Sequence, residues 1–349
     1  MTSLEKPDEI QTVVKGPMYD CALLVLNFDG QELLAECLPS LVTAISVSKY
    51  ECKAIVVDNK STDDSVNFVR QNFPSVEVMQ AKKNDFLFSL NKAVSGRSED
   101  ICVILNNDIS VDREFLDPLL QYFTDDRVFA VTSKIFDCED FQSKERKPAH
   151  ICRLETKGSW YRDYYDESPD SPTYVQLASG AVSAYRRKMF IELGGFDPLY
   201  RPGYAEDLDL SYRAWQRGWH VILEPASKIL HKGSVSMNRA LGQKRRRIAE
   251  RNKLLFLVKN CGDWVFVIKF ILLYPKRFIT FYMNGDKELA GAMSLAIPKL
   301  PLALWKRIKL MITGRRVLQE VVILSKIGKV VTRPAASFDH SSVLRKDIK

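Results

Sequence analysis

The chain has 349 residues, 46% hydrophobic and 27% charged, with a net charge of +8. This composition excludes a disordered or low-complexity chain and predicts one large globular domain with an appendage, or two domains. Charge is unevenly spread: residues 241–349 hold 23 Lys/Arg against 7 Asp/Glu, a net +16, whereas residues 1–240 hold 28 against 36, a net −8, so the two parts face different surroundings.

Residues 1–19 are polar, and without an apolar run behind a basic start they predict a tail and no signal peptide. Cys21–Leu26 reads as a strand, Asn27-Phe28-Asp29-Gly30 as a turn, and Leu33 to Leu41 as a helix. The same order recurs with a strand at Ala54–Val57, a turn at Asp58–Asp63 and a helix through Val69. A weaker strand at Val76–Met79, a helix over Phe86–Val94 and a buried strand at Ile101–Leu105 follow. Strands alternating with helices predict a mostly parallel sheet flanked by helices on both faces.

After Asp108 the spacing predicts a helix at Glu114–Phe123 and a strand at Val128–Thr132, then a polar, aromatic excursion over 137–173 with little regular structure. Further strands are expected at Val175–Leu177 and through Ala184, a helix at Arg187–Leu193, a helix at Asp207–Gln216, and two short strands at Val221–Leu223 and Lys228–Leu230. Residues 20–240 thus form the α/β unit, 241–333 a basic, amphipathic helical region and 334–349 a loose tail. The seven cysteines are odd in number and include no C-x-x-C pair, which points to a reducing, cytosolic compartment and away from a zinc site or disulfide framework. The longest apolar run, Trp264–Tyr274, is far short of the ~20 residues of a spanning helix.

Polar clusters end the predicted strands at Asn27/Asp29, Asp58/Asn59, Asn106/Asn107/Asp108 and Ser179/Gly180. Carboxyl ends of parallel strands share one edge, where open α/β sheets bind ligands. Asp58 either accepts a hydrogen bond from the ring N–H of a pyrimidine or caps the following turn. Asp108 either supplies an oxygen to a hard cation or forms a turn. Gly180 either lets the backbone approach a ligand or merely bends a strand. Glu206, Asp207 and Asp209 crowd three carboxylates into four positions at the start of a helix. The helix dipole accounts for part of that crowding, and one of the acids is placed to take a proton from an attacking hydroxyl. His231 ends a strand, as a further metal ligand or a structural histidine.

Taken in order, Leu24–Gly30, Ile55–Asp63, Leu105-Asn106-Asn107-Asp108, Ser179-Gly180-Ala181, Leu193–Asp197, Glu206–Arg213, Gly218-Trp219 and His231–Ser234 resemble the family 2 glycosyltransferases, in particular bacterial rhamnosyltransferase-like enzymes of surface polysaccharide synthesis. The resemblance covers about residues 20–260, and the Arg251-Asn252 segment shares it less specifically. It implies a GT-A fold, Rossmann-like and mostly parallel, a nucleotide-diphosphate sugar donor, a divalent Mn²⁺ or Mg²⁺, and inversion at the anomeric carbon. It further implies a catalytic site at Asp207 with Glu206, nucleotide contacts from Asn27, Asp29, Asp58, Asn59 and Asn107, sugar or acceptor contacts from Ser179, Gly180, Ala181 and Asp209, and a metal held by Asp108 and His231. Asn106 stands where the family's D-x-D-like motif has its first carboxylate, so metal binding leans more on the diphosphate oxygens.

The expected reaction moves a sugar from a UDP- or dTDP-linked donor, such as dTDP-rhamnose, to a glycan or lipid-linked glycan. The basic helices suit the inner face of an anionic cytoplasmic membrane, the alternative being packing on the α/β unit or in an oligomer. The rivals are a nucleotidyltransferase, which would usually carry a basic phosphate loop after the first strand, and a membrane-surface scaffold with a degenerate catalytic half. Nucleic acid is not expected as a partner, since the positive charge lies among apolar helices.

Overall fold

The computed structural model describes residues 19–136, 151–232, 242–313 and 318–334. Four parallel strands, β1 (Asp20–Asn27), β2 (Glu51–Asp58), β3 (Glu77–Gln80) and β4 (Ile101–Asn106), alternate with α1 (Gln31–Val47), α2 (Ser65–Asn72) and α3 (Ser89–Ser95). Both faces of these strands are covered, which explains their unbroken apolar runs. Along β1, Ala22 and Leu24 enter one core, while Cys21, Leu23 and Val25 enter the other. The register sets Asn27 opposite Asp58 and Leu26 opposite Asn106, so three polar strand ends arrive at one edge.

The chain continues through β5 (Ile109–Val111), α4 (Leu116–Leu120), β6 (Val128–Phe136), the hairpin β7 (Ile151–Lys157) and β8 (Trp160–Asp166), β9 (Thr173–Tyr174), β10 (Val182–Arg186), α5 (Arg187–Leu193), α6 (Glu206–Gln216) and β11 (His220–His231). The sheet runs β3-β2-β1-β4-β10-β6-β11-β5, with β9 beside β11. It is mixed but mostly parallel: β10 is antiparallel to both β4 and β6, as β5 and β9 are to β11.

Four expectations change. Ser179-Gly180 does not end a strand but leads into β10, and because β10 is antiparallel its start lies at the edge where β4 ends. The two short strands at 221–223 and 228–230 are one strand, β11, with a register shift between Glu224 and Lys228, an irregularity that the Pro225 region accommodates at the cost of ladder pairing. The excursion over 137–173 contains the β7–β8 hairpin; its first part, 137–150, lies outside the described residues. Val175–Leu177 is not a strand, because the Gln176 side chain pairs with both the N–H and the carbonyl of Leu154, each at 2.8 Å, and ties the hairpin down in place of a backbone ladder.

The helical region comprises α7 (Lys244–Asn260), α8 (Trp264–Met283), α9 (Lys287–Ala296), α10 (Leu300–Ile312) and α11 (Glu320–Lys326). Leu254–Val258 of α7 are fully buried in the same core as β1 and α6. This part of α7 therefore packs on the α/β unit. The outward faces of α8 and α10 remain exposed.

Candidate active site

At the carboxyl edge of β1, β2 and β4 the strand-end side chains find each other. Asn107 Nδ2 donates to Asn27 Oδ1 at 2.8 Å, and Asn27 Nδ2 donates to Asp58 Oδ1 at 3.3 Å. Asp58 is fully buried and also accepts from Ser61, through the backbone N–H at 3.0 Å and the hydroxyl. Asn59 Nδ2 reaches the Phe86 carbonyl at 2.7 Å, while Asp29 Oδ1 accepts the Thr62 N–H at 2.6 Å. A Cβ at Gly30 would collide with Asn107 Nδ2 and lie 2.7 Å from Asn27 Oδ1, so only glycine fits between these side chains.

Asn27, Asp58, Asn59 and Asn107, expected as nucleotide contacts, lie together at this edge. They spend polar atoms on one another and on the turns, because buried polar groups must be paired. They shape the floor of the edge, and for Asp58 the turn-forming alternative is the one displayed. Phe28 is the exposed side chain in this group, at 43%.

Asp108 lies in the short link between β4 and β5, directly across from the end of β11. Its carbonyl accepts the Lys232 N–H at 3.1 Å, and its Oδ1 lies 3.3 Å from His231 Nε2. That imidazole nitrogen is buried without a hydrogen-bond partner. An imidazole nitrogen and a carboxylate oxygen converging in this way fit a divalent cation such as Mn²⁺. Among the described residues no cluster of three His, Cys, Asp or Glu side chains forms a closed metal site, so by themselves these two side chains could offer a cation two ligands only.

The third group is the start of α6. Tyr204 and Ala205 have positive φ, 71° and 65°, as do Asp29, Lys60 and Phe86 in the turns around the strand ends. Among the described residues these five are all the non-glycine positions in that region of backbone space. Each costs about 1 kcal/mol or more, and such strain gathers at functional sites. Gly180 N–H donates to Asp207 Oδ2 at 3.1 Å, and the Leu208 N–H to Asp207 Oδ1 at 2.8 Å. Next in the chain, the Ala181 carbonyl accepts the Asn106 N–H at 3.0 Å, and Ala181 N–H donates to Ser179 Oγ at 3.2 Å. Ser179-Gly180-Ala181 is thus a backbone bridge from the Asn106–Asp108 link to the acid pair. A Cβ at Gly180 would sit 3.4 Å from Asp207 Oδ2, so a side chain there would crowd the carboxylate.

The two acids are not equivalent. Burial pushes the Glu206 carboxyl well above the usual carboxylate range, the Asp207 charge adds to this, and Glu206 Oε2 has no hydrogen-bond partner. Burial also raises Asp207, but the Leu208 and Gly180 N–H groups oppose the shift by favouring its anion. Burial thus favours the neutral form of both acids, most of all Glu206, while the two backbone N–H groups favour the anion of Asp207 alone. A raised native pKa means that the folded chain keeps a proton the unfolded chain releases, so stability falls as pH rises above the unfolded value. Glu206→Gln is therefore expected to match the wild type in stability below about pH 4.3 and to become the more stable protein as pH rises. Urea unfolding from pH 4 to 8 checks this, and a pH-independent difference would contradict it.

Asp209 leaves the sugar-or-acceptor set. It is fully buried and accepts from Tyr200 Oη at 2.9 Å, Arg213 Nε at 2.7 Å, Lys259 Nζ at 2.6 Å and Asn260 Nδ2 at 2.7 Å. It points into the core one side of the helix away from Asp207 and anchors α6 to α7. Asn252 and Arg251, which share the family resemblance only loosely, support the strained loop before the acid pair. Buried Asn252 donates through Nδ2 to the carbonyls of Tyr200, Gly203 and Tyr204 at 2.6, 2.7 and 3.0 Å. Arg251 Nη2 reaches the Arg201 carbonyl at 2.5 Å, and Arg201 is bidentate to Asp85 and lies over the Phe88 ring. The only signal for these was an Arg-Asn pair inside an otherwise apolar helical stretch.

A family model described as "Glycosyltransferase like family 2" matches residues 17–266. The chain belongs to this family. The chain is 30% identical over 166 residues to the inactive polypeptide N-acetylgalactosaminyltransferase-like protein 5 of Macaca fascicularis, covering 45% of this chain and 37% of that protein. It is 24% identical over 168 residues to polypeptide N-acetylgalactosaminyltransferase 10 of Homo sapiens, covering 46% of this chain and 28% of that protein. The alignments thus span well under half the length of these curated relatives. Among solved structures, GalNAc-T7 with UDP, GalNAc and Mn²⁺ superposes with a TM-score of 0.52 at 14% identity, covering 70% of this chain and 48% of that one. S. aureus TarS superposes with a TM-score of 0.52 at 14% identity, covering 84% and 83%. The fold is accordingly GT-A-like, with helices added at the C-terminus.

Proposed function

We propose that the protein is an inverting transferase that moves a hexose or a 6-deoxyhexose such as rhamnose from a UDP- or dTDP-linked donor to a glycan or lipid-linked glycan at the inner face of the cytoplasmic membrane. The observation that carries the reading is the backbone bridge at Gly180-Ala181, which links Asp207 to Asn106, two residues before Asp108, through two hydrogen bonds. A base and a leaving-group site held in fixed relation are what in-line displacement at a sugar carbon requires.

In this reading the acceptor hydroxyl attacks the anomeric carbon and its proton passes to Asp207. The new C–O bond forms as the bond to the diphosphate breaks, and the nucleoside diphosphate departs. Asp108 and His231 would hold a divalent cation, which when bound supplies Lewis-acid neutralisation of the departing diphosphate. Burial favours the neutral form of Glu206, which limits the negative charge beside the base. Phe28, exposed beside the strand-end network, is an aromatic face for stacking the base. A nucleotidyltransferase is disfavoured by the acidic Asp29-Gly30 turn where a basic phosphate loop would stand, and a degenerate scaffold by the ordered acid pair.

Purified protein incubated with UDP- and dTDP-sugars and Mn²⁺ is expected to release the nucleoside diphosphate; no release from any donor would overturn the reading. Asp108→Ala is expected to weaken Mn²⁺-dependent binding of UDP or dTDP by about 10- to 100-fold, as loss of a metal-site group does. Calorimetry with and without Mn²⁺ measures this, and an unchanged metal-dependent affinity would remove Asp108 from the site.

A further inference from the structure

The outward face of α8 is unlike the surface of an ordinary soluble domain. Val265, Ile268, Leu272, Ile279 and Met283 recur at helical spacing and are all exposed, Leu272 at 72% and Met283 at 76%. The helix is 20 residues long, so this stripe extends for about 30 Å. An apolar patch of that size marks an interaction surface. α10 repeats the composition with Leu302, Trp305, Ile308 and Ile312 exposed, and Lys309 Nζ lies 5.2 Å from the Trp305 ring centre.

Charge identifies what covers this face. α8 carries Lys269, Lys276 and Arg277 and no acidic residue; α10 has no acidic residue either and presents Lys309 outward, while its Arg307 is buried and its Lys306 pairs with Asp197. A second copy docked face to face would oppose cation to cation, because a two-fold interface brings each patch against itself. A cavity of about 220 Å³ on α8 is lined by Leu273, Lys276, Arg277, Thr280 and Phe281. Arg277, held by Ser159 Oγ at 2.5 Å and by the Trp160 ring, keeps Nη1 buried and without a hydrogen-bond partner there. Two cations beside an apolar stripe match a phosphate headgroup with its acyl chains below. No helix among the described residues is long and apolar enough to cross a membrane, so the contact runs along the surface.

We propose that the outward faces of α8 and α10 dock the protein in the plane of an anionic phospholipid leaflet, with the Lys276–Arg277 cavity receiving a lipid headgroup. This deepens the proposed function by placing its acceptor at a membrane, and it rests on that reading for the acceptor alone. α7, buried in the core, takes no part.

The test uses the full chain with phosphatidylglycerol-containing and pure phosphatidylcholine vesicles. Wild type is expected to co-sediment with the anionic vesicles only, and less so at high salt. Leu272→Glu/Ile279→Glu and, separately, Lys269→Glu/Lys276→Glu are each expected to weaken binding by at least about tenfold. All four positions are exposed, and Mn²⁺-dependent nucleotide release from a soluble donor should be unchanged in both variants. Equal recovery of wild type in the supernatant with both vesicle types, or variants that bind as wild type does, would overturn the proposal. A wild-type dimer that the Glu variants make monomeric, without vesicle binding, would do so too and assign the face to a second copy. Vesicle binding that responds to the variants, in a protein that releases nucleotide from no donor, would uphold the surface and sink the transferase reading instead.

Discussion

Asp207→Asn is expected to lower sugar transfer by about 10²- to 10⁴-fold, the usual cost of losing a general base, with nucleotide affinity and thermal stability near wild type. The amide keeps the shape of the carboxylate and accepts from the Gly180 N–H as Asp207 does, but it takes no proton from the acceptor. Steady-state kinetics on a working donor and acceptor decide the matter, and the loss should fall on kcat with little change in the donor KM. Near-normal transfer by the variant would assign the base to Glu206. It would not assign it to Asp209, whose oxygens are already held by Tyr200, Arg213, Lys259 and Asn260 in the core.

Asp209→Ala is expected to show the converse: a loss of about 3–5 kcal/mol in folding stability, the cost of leaving buried charges unpaired. Lys259 and Arg213 are both buried and each forms an ion pair with Asp209, at 2.6 and 2.7 Å. Burial by itself would raise the Asp209 pKa, but Arg213 and Lys259 outweigh it and hold the carboxyl below its ordinary value. A depressed native pKa contributes stability above about pH 3.9 and loses it as pH falls through the native value. The wild-type advantage over the alanine variant should therefore shrink on acidification. Chemical denaturation of both proteins at neutral and acid pH measures it; a variant as stable as wild type at neutral pH would show that the network contributes nothing net. Asp207 and Asp209 stand two residues apart on one helix, so the paired experiments separate chemistry from support.

Much of the fold was readable before any coordinates. Unbroken apolar runs such as Ile101–Leu105, each followed by Asn, Asp or Gly, set out a parallel sheet with its polar strand ends on one edge, because burial of both faces and the period of each element are local properties of the chain. The ordered motifs also placed Asp108, Gly180, Asp207 and His231 in one region. Sequence alone determined which residue types gather at the edge and that the second part of the chain is basic and helical.

Only the tertiary structure decided which polar atoms are left for a ligand. Asn27, Asp58 and Asn107 carry side chains suited to binding a nucleotide, yet at converging strand ends they pair with one another, and pairing between strands about 30 and 80 residues apart leaves no local trace. The direction of β10 was equally hidden, since an antiparallel strand reads like a parallel one, and with it the reason Gly180 reaches Asp207. The crowd of three acids in α6 was plain, but a helix turns about 100° per residue, so Asp207 meets the Gly180 backbone while Asp209 meets Lys259 from a helix that charge composition alone had assigned to the periphery. Burial divided those helices: the same apolar-and-basic pattern covers α7, which the core encloses, and α8, whose stripe meets no other part of the described chain.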